Sequence, residues 1–166
     1  MIRKSLLPIL FLFVPPAVAD EPLRPPEVWE TCSPNGAFCA TLDPDASRIT
    51  VRRAAGAGDV LWSAAGWSRV AALADDGEHL VLGYEGMNLI PVDYDKNMAM
   101  LTFYRRDEII AVVRLRDLAG WLNLKRTVSH YYWGDYLGLN AEGHYVVRVS
   151  RGSDIRFDMT TGKRAR

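Results

Sequence analysis

The chain has 166 residues, 49% of them hydrophobic and 24% charged, and its 20 Lys and Arg residues balance its 20 Asp and Glu residues. This length suits a single domain. The neutral balance gives no electrostatic basis for binding nucleic acid or an anionic membrane. The short basic end, residues 162–166, is interpreted as a solvated tail rather than as a polyanion site.

Residues 1–19 have the pattern of a secretory signal peptide. Arg3 and Lys4 form a basic start, an apolar run covers residues 6–14, and Ala-Val-Ala at 17–19 fits a cleavage site. The apolar run is shorter than the roughly 20 residues that a transmembrane helix needs. We therefore expect export to the bacterial periplasm or the medium, with cleavage near Ala19 and no membrane association afterwards. An extended segment at residues 20–27 would then precede the folded domain.

Cys32 and Cys39 are the only cysteines in the chain. An exported chain with two cysteines most simply forms one disulfide. The intervening Pro-Asn-Gly at 34–36 is a strong turn signal, so the disulfide is expected to join two antiparallel strands across a hairpin. Closing a loop of about 8 residues stabilises the fold by roughly 2.5 kcal/mol in the chain-entropy model. The spacing fits neither a CxxC redox centre nor a metal pair.

Three places in the chain share a turn, a glycine and an apolar strand. They are SPNG before AFCATL, DDG before EHLVLGY, and NAEG before HYVVRV. We expect the glycines, Gly36, Gly77 and Gly143, to adopt positive φ and close the turns. A further strand, polar turn and strand follow each hairpin, with β-branched and aromatic residues in the strands. The pattern predicts three four-stranded antiparallel units in one β domain, 28–166, at about 28–66, 67–116 and 127–166.

The first strands of these units are predicted near 28–32, 68–74 and 128–139. The last of these, VSHYYWGDYLGL, is interpreted as a largely buried strand because it is flanked by turn residues. A bend or bulge is expected at Gly134-Asp135.

Two insertions lengthen the chain between the second and third glycines. One is an inserted loop at 85–97, which carries much apolar surface for a loop and is expected to form a lip beside the aromatic strand. The other is a short helix at 117–125, with Asp117 as its N-cap. Its apolar face would contain Leu118, Trp121 and Leu122.

The turn motifs carry a resemblance to a known family. SPNGAFCA, ADDGEHLV, NAEGHYVV and FDMTTGKR resemble the S-P-D-G and D-x-x-T-G hairpins of TolB-like β-propellers. They are also similar to those of small exported bacterial proteins that contain two or three such units. The resemblance implies an all-β fold, an antiparallel meander of three propeller-blade-like units with one short helix.

Three blades cannot close a ring, since propellers typically have about four to eight. The fold is therefore expected to be an incomplete propeller or open β array. Its edges would be covered by the N-terminal segment and the helix, by a sandwich arrangement, or by a homodimer.

No residue pattern predicts a metal or a cofactor. The loop Asp93-Tyr94-Asp95-Lys96-Asn97 begins like a calcium loop, but Met98 replaces the required Gly and Tyr104 replaces the bidentate Glu. It is interpreted as a solvated turn. His79, His130 and His144 stand in no ligand spacing and are interpreted as ordinary strand residues.

The chain is not expected to be an enzyme. It has no G-x-S-x-G elbow, Gly-rich phosphate loop or paired-carboxylate motif. Ser129 and His130 are neighbours in a predicted strand, where they would point to opposite faces and could not share a proton. A hydrolase would need His130, Asp135 and Asp93 to converge from distant strands, and it remains a lesser alternative.

The leading functional prediction is an exported, non-catalytic binding protein whose partner is another protein, such as an exported toxin or an envelope protein. Its specific version is an immunity-type inhibitor, because some periplasmic immunity proteins that neutralise cell-wall-cutting toxins are similar in size and use propeller-like units. The alternative is a small-ligand or glycan-binding module that uses aromatic stacking. The predicted binding residues are Tyr84, Met87, Asn88, Tyr94, Asp95, Met98, Trp133, Asp135 and Tyr136.

Overall fold

The computed structural model describes residues 22–55, 59–118, 124–152 and 154–165, so the predicted signal peptide lies outside the described residues. Within these ranges the chain forms fourteen strands and one short helix, which confirms the all-β fold with a single short helix. No helix in the described ranges has the length and apolarity needed to cross a membrane. The elements in chain order are β1 Trp29–Cys32, β2 Phe38–Asp43, β3 Arg48–Arg53, β4 Val60–Ala65, β5 Ala71–Leu73, β6 His79–Gly83, β7 Leu89–Pro91, β8 Ala99–Arg105, β9 Glu108–Arg114, α1 Leu115–Leu118, β10 Lys125–Arg126, β11 His130–Tyr132, β12 Gly134–Leu139, β13 His144–Val149 and β14 Asp154–Asp158.

These strands form three large sheets and one small sheet, with antiparallel pairing throughout. The first sheet has the order β1-β2-β3-β4, the middle sheet β5-β6-β8-β9, and the third sheet β12-β13-β14. Each large sheet is therefore an antiparallel meander whose strands fall within one of the predicted units, 28–66, 67–116 or 127–166. The small sheet has the order β10-β11-β7. It joins β7, in the inserted loop at 85–97, to β11, in the aromatic segment at 128–139.

The repeated turns have the predicted backbone geometry. Gly36, Gly77 and Gly143 have φ values of 69°, 68° and 77°, in the left-handed region that glycine enters at little cost. The first two turns also contact each other. The Asn35 N–H donates to Asp75 Oδ1 at 2.8 Å, and Asn35 Nδ2 donates to the Asp75 carbonyl at 3.1 Å. Equivalent turns of the first and middle sheets thus lie side by side.

The central strands of the middle sheet, β6 and β8, are buried on both faces because their residues enter two separate cores. Leu80 and Leu82 pack in a cluster with the first sheet, whereas Val81 packs in a second cluster with the third sheet. Burying a Val or Leu side chain contributes about 1.5–3 kcal/mol. The first sheet supplies Ala40, Leu42, Ile49, Val51, Trp62 and Ala64 to its cluster, and the third sheet supplies Tyr145, Val147, Val149, Ile155 and Phe157 to the other.

The predicted strand at 128–139 is wrong as a single strand. Val128 and Ser129 lie in a bend, β11 belongs to the small sheet, and β12 belongs to the third sheet. The chain divides at Trp133, whose backbone N–H donates to the Asn88 carbonyl at 3.1 Å. At Gly134 the backbone approaches so closely that a Cβ atom would lie 2.1 Å from the Arg148 carbonyl oxygen. Close approach of this kind requires glycine.

The third unit also differs from the predicted four-stranded form. Its sheet has three strands, and the fourth position holds only an isolated bridge between Phe157 and Arg164. The Asp158 N–H donates to the Lys163 carbonyl, and the Ala165 N–H donates to the Arg156 carbonyl. The end of the chain therefore covers part of the β14 edge without forming a full strand.

The regular structure of the two insertions has different bounds from those predicted. The inserted loop at 85–97 contains β7, which pairs with β11. In the described residues, the helix predicted at 117–125 corresponds to α1, Leu115–Leu118, which begins two residues earlier than predicted. Asp117 lies inside it and accepts the Arg114 N–H at 3.0 Å, so it does not occupy the N-cap position. Trp121 and Leu122 lie outside the described residues, and Lys125 begins β10.

The predicted disulfide is present. Cys32 and Cys39 face each other in the β1–β2 register, with their Cα atoms 4.0 Å apart. The bond joins the two strands of the first hairpin, as expected from the turn between them, and no other cysteine exists in the chain.

Candidate functional site

A groove lies where the first strands of the three large sheets approach one another. It has two adjoining parts, of about 520 and 380 Å³, which share Trp29, Arg69 and Met87. Strands β1, β5 and β12 contribute to it, together with the N-terminal segment and the inserted loop. Its lining residues are Pro22, Leu23, Arg24, Pro25, Glu27, Trp29, Trp67, Arg69, Val70, Ala71, Met87, Asn88, Asp135 and Tyr136.

Hydrogen bonds fix the aromatic corner of the groove. Trp29 Nε1 donates to the carbonyl of buried Ser68 at 2.8 Å. The Ser68 hydroxyl accepts the Val70 N–H at 3.1 Å. The Arg69 guanidinium lies 5.1 Å from the ring centre of Trp67, a cation–π geometry. These contacts hold the two indole rings and the guanidinium in place.

The N-terminal segment, residues 22–28, forms one wall of the groove. Every residue in it is exposed, and it belongs to neither a helix nor a strand. Trp67 Nε1 donates to the Glu27 carbonyl at 3.2 Å, and Arg69 Nη2 donates to the Arg24 carbonyl at 2.5 Å. The body of the protein thus holds this segment through its backbone carbonyls.

The opposite wall is the turn that carries Met87 and Asn88, and it is anchored on Trp133. Trp133 is fully buried and donates from Nε1 to the Met87 carbonyl at 2.7 Å. The Met87 backbone is left-handed, with a φ of 58°, and its side chain is 37% exposed. The inserted loop therefore lies beside the bend of the aromatic segment, and it presents a flexible apolar side chain to the groove.

Two tyrosines near the groove are held in the neutral form. The Tyr136 hydroxyl accepts the Tyr84 N–H at 2.7 Å and donates to the Met100 carbonyl at 3.2 Å. Burial raises the pKa of Tyr136. Burial and a hydrogen bond to the Asp135 carboxylate raise the pKa of Tyr132 to about 12. Both phenols serve as hydrogen-bonding groups at neutral pH, not as bases.

Four of the nine predicted binding residues line the groove, namely Met87, Asn88, Asp135 and Tyr136. Trp133 lies behind it as an anchor. The Tyr84 ring covers Gly86, where a Cβ atom would lie 2.4 Å from the ring.

The remaining three predicted residues lie in other surroundings. Tyr94 packs edge-on against Tyr131, with ring centres 5.8 Å apart. Met98 packs against the second core cluster. Asp95 accepts the Asn97 N–H at 2.8 Å in a turn.

Three main residues of the groove were not predicted from the sequence: Trp29, Trp67 and Arg69. The available signal was the spacing of Trp67 and Arg69, which stand two positions apart just before β5. In an extended chain such residues point to the same side. Trp29 carries no comparable local signal, because its role depends on a contact with Ser68, 39 positions away.

In the calcium-like loop, both oxygen atoms of Asn97 accept hydrogen bonds from guanidinium groups. Asn97 Oδ1 accepts Arg116 Nη1 at 2.5 Å, and the Asn97 carbonyl accepts Arg114 Nη1 at 2.6 Å. A divalent cation there would face two guanidinium groups at short range. Across the described ranges, one cluster brings three metal-type ligand atoms together, at Glu30, Cys32 and Cys39, and its two sulfurs form the disulfide.

The expectation that Ser129 and His130 point apart is wrong. Ser129 Oγ lies 2.8 Å from His130 Nδ1. The strand argument fails because Ser129 belongs to the bend that precedes β11. Neither residue lines the groove, and the Asp135 carboxylate, the third group of the hydrolase alternative, accepts the Tyr132 hydroxyl.

Comparison with known proteins gave no match: no protein-family model, curated protein or solved structure matches this chain at a significant level.

Proposed function

We propose that this chain is an exported binding protein that recognises another protein through the groove and catalyses no reaction. The observation that carries the proposal is the composition of the walls, in which Trp29, Trp67, Arg69 and Met87 converge. Trp and Arg dominate the energetic centres of protein interfaces, and Met and Tyr are enriched there. The groove concentrates these residue types in one concave place.

Preorganisation supports the same proposal. Trp29 and Trp67 are each fixed by an indole hydrogen bond, and the Met87 carbonyl is fixed by Trp133. Binding then costs little ordering of these side chains, which favours affinity.

The proposed compartment is the periplasm or the medium, and the proposed partner is an exported or envelope protein. The predicted signal peptide motivates this assignment, and a disulfide is typical of exported chains. An immunity-type inhibitor that plugs a toxin needs a projecting loop. The inserted loop instead packs on the body through β7 and β11, so we propose the broader class of binding protein.

A glycan or small ligand is the second candidate, because Trp29 and Trp67 both line the larger part of the groove. Aromatic rings can stack on the apolar face of a sugar. This candidate predicts quenching of tryptophan fluorescence by cell-wall glycan fragments, whereas the leading proposal predicts none.

Capture experiments with residues 20–166 test the proposal. The bait is crosslinked in periplasmic extract, and a captured protein is purified and titrated by calorimetry. We expect Met87→Glu to weaken its binding at least about tenfold, which corresponds to about 1.4 kcal/mol. The matched control is Val60→Glu, since Val60 is an apolar residue that is 57% exposed on the edge strand β4, away from the groove. Equal binding by the Met87→Glu and Val60→Glu variants would exclude the groove as the recognition site.

A further inference from the structure

We propose that the groove binds a proline-rich, extended segment of its partner, and that residues 22–28 of this chain are an internal stand-in for that ligand. The inference rests on the proposed function and names the chemical class that the groove recognises. Three features carry it: the conformation of the segment, the spacing of the bonds that hold it, and the space left beside it.

The sequence of the segment, PLRPPEV, favours a polyproline II conformation. Pro22, Pro25 and Pro26 each fix φ near −65° and remove a backbone donor. The residues before a proline, Arg24 and Pro25, are forced away from helical conformations. In the structure the segment forms neither helix nor strand, and all of its residues are exposed. Its carbonyls are left available to side-chain donors.

The two bonds that hold the segment follow its repeat. The acceptors are the carbonyls of Arg24 and Glu27, three residues apart. Because polyproline II has three residues per turn, these two carbonyls point to the same side. The donors, Trp67 Nε1 and Arg69 Nη2, both come from the short connection between β4 and β5. An indole N–H and a guanidinium therefore donate hydrogen bonds to backbone carbonyls one polyproline turn apart. Aromatic grooves of this kind suit proline-rich ligands.

The segment is exchangeable and does not fill the groove. Among the described residues, it is held by these two side-chain bonds, both at exposed positions, and it has no strand pairing. About 520 Å³ remains between it and the wall formed by Trp29 and Met87. A longer proline-rich segment of a partner would take over the same donors and extend over Met87.

The test is a competition in a protein that comprises residues 20–166. The probe is a fluorescein-labelled peptide of sequence PLRPPEV, and its binding is measured by fluorescence anisotropy. A tethered segment competes at a high effective concentration. We therefore expect the double variant Pro25→Gly/Pro26→Gly, whose own segment is less preorganised, to bind the peptide at least about tenfold more tightly than the wild type.

Two further substitutions in that double variant test the donors. Trp67→Phe keeps an aromatic ring and removes the N–H, whereas Arg69→Met keeps an apolar stem and removes the guanidinium. Each is expected to weaken peptide binding at least tenfold with an unchanged urea midpoint, and a peptide with alanine at every proline should bind as weakly. The control is Val60→Ala on β4, which should bind like the double variant itself.

The results separate this inference from the proposed function. If PLRPPEV binds no more tightly than its alanine counterpart, the proposed class of proline-rich ligands is wrong. The same holds if neither donor substitution changes the affinity for the peptide. Met87-dependent capture of a partner would then still support the groove as a protein-binding site. If capture of the partner did not depend on Met87 while PLRPPEV still bound tightly, the groove would remain a peptide-binding site, but the captured partner would not be its ligand.

Discussion

Three non-glycine residues in the described part of the chain have positive φ: Ser47 at 45°, Met87 at 58° and Arg106 at 55°. Ser47 and Arg106 lie in turns that connect neighbouring strands, where a left-handed residue reverses the chain. Met87 has a different position, because it forms part of the groove wall. Its strained backbone directs the carbonyl to Trp133 and leaves the side chain exposed, which links the strain to the proposed recognition surface.

Ser47 provides a direct test of left-handed strain. Replacement by glycine removes a cost of about 1–2 kcal/mol, partly offset by about 0.5–1 kcal/mol for the greater freedom of glycine in the unfolded chain. We expect Ser47→Gly to raise the free energy of unfolding by about 0.5 kcal/mol, as measured by urea denaturation. Ser47→Val should lower it by about 1 kcal/mol, because a β-branched residue resists positive φ. A glycine variant less stable than the wild type would contradict this account.

Asp76 gives the fold a predictable acid sensitivity. Burial opposes the charged form of this carboxyl, yet the hydrogen bond with His79 and the backbone N–H groups of Glu78 and His79 outweigh it and lower the pKa of Asp76. A lowered folded pKa contributes stability above the unfolded value of about 3.9, and this contribution is lost as pH falls through the folded pKa. The contribution is limited to about 1 kcal/mol or less, because the carboxyl is partly exposed and solvent screens it.

The Asp76→Asn variant should therefore be less stable than the wild type at pH 6, and the difference should shrink between pH 4 and pH 2. The comparison is the free energy of unfolding in urea at each pH. Asn can still support the turn, as Asn35 does at the equivalent position before Gly36. Asp107→Asn, on an exposed hairpin, is the control and should change little. A difference that stays constant down to pH 2 would show that Asp76 acts through shape rather than charge.

At the scale of elements, features that depend on a few adjacent residues can be predicted from the sequence. The turns at Gly36, Gly77 and Gly143, and the first-hairpin disulfide, were predicted correctly because each depends on a few adjacent residues. The division of the aromatic segment at Trp133 was not predictable. It depends on the Asn88 carbonyl, 45 positions earlier in the chain, and on the close approach of Gly134 to β13. Strand pairing between β7 and β11 is equally nonlocal.

Substitutions at two of the repeat glycines can distinguish the cost of backbone strain from the cost of steric overlap between sheets. A Cβ atom at Gly77 would lie 2.6 Å from the Phe38 ring of the first sheet, whereas one at Gly143 would meet nothing within 4 Å. We expect Gly143→Ala to cost about 1 kcal/mol, from left-handed strain alone. Gly77→Ala should cost about 2–4 kcal/mol, because overpacking adds to the same strain. Chemical denaturation measures both, and equal costs would mean that Phe38 moves aside freely.

At the scale of the whole molecule, only a minority of the residues that line the groove could be predicted from the sequence. Met87, Asn88, Asp135 and Tyr136 stood out because they lie in an apolar loop and in an aromatic stretch. The corner of Trp29, Trp67 and Arg69 was missed, because it exists only once β1 and β5 lie side by side and the N-terminal segment crosses them. The residues of a site assembled from three sheets are distant in the sequence, so no single stretch carries a pattern that predicts the site.

The same layered arrangement predicts that the molecule unfolds as one unit. Leu82 and Val81 are adjacent in β6, yet Leu82 enters the core shared with the first sheet and Val81 the core shared with the third. We expect Leu82→Ala to cost about 2–5 kcal/mol and Val81→Ala about 2 kcal/mol. Because both cores meet in the middle sheet, either variant should destabilise all three large sheets together.

Hydrogen exchange measured by mass spectrometry tests this expectation. In a single cooperative unit, each variant speeds exchange of the most protected amides in both β2 and β13 by the same factor. Val60→Ala, on the exposed edge of β4, is the control and should change exchange little. If Leu82→Ala affected only β2 and Val81→Ala only β13, the sheets would open independently. The groove would then require its walls to come together on binding, because β1, β5 and β12 belong to three different sheets.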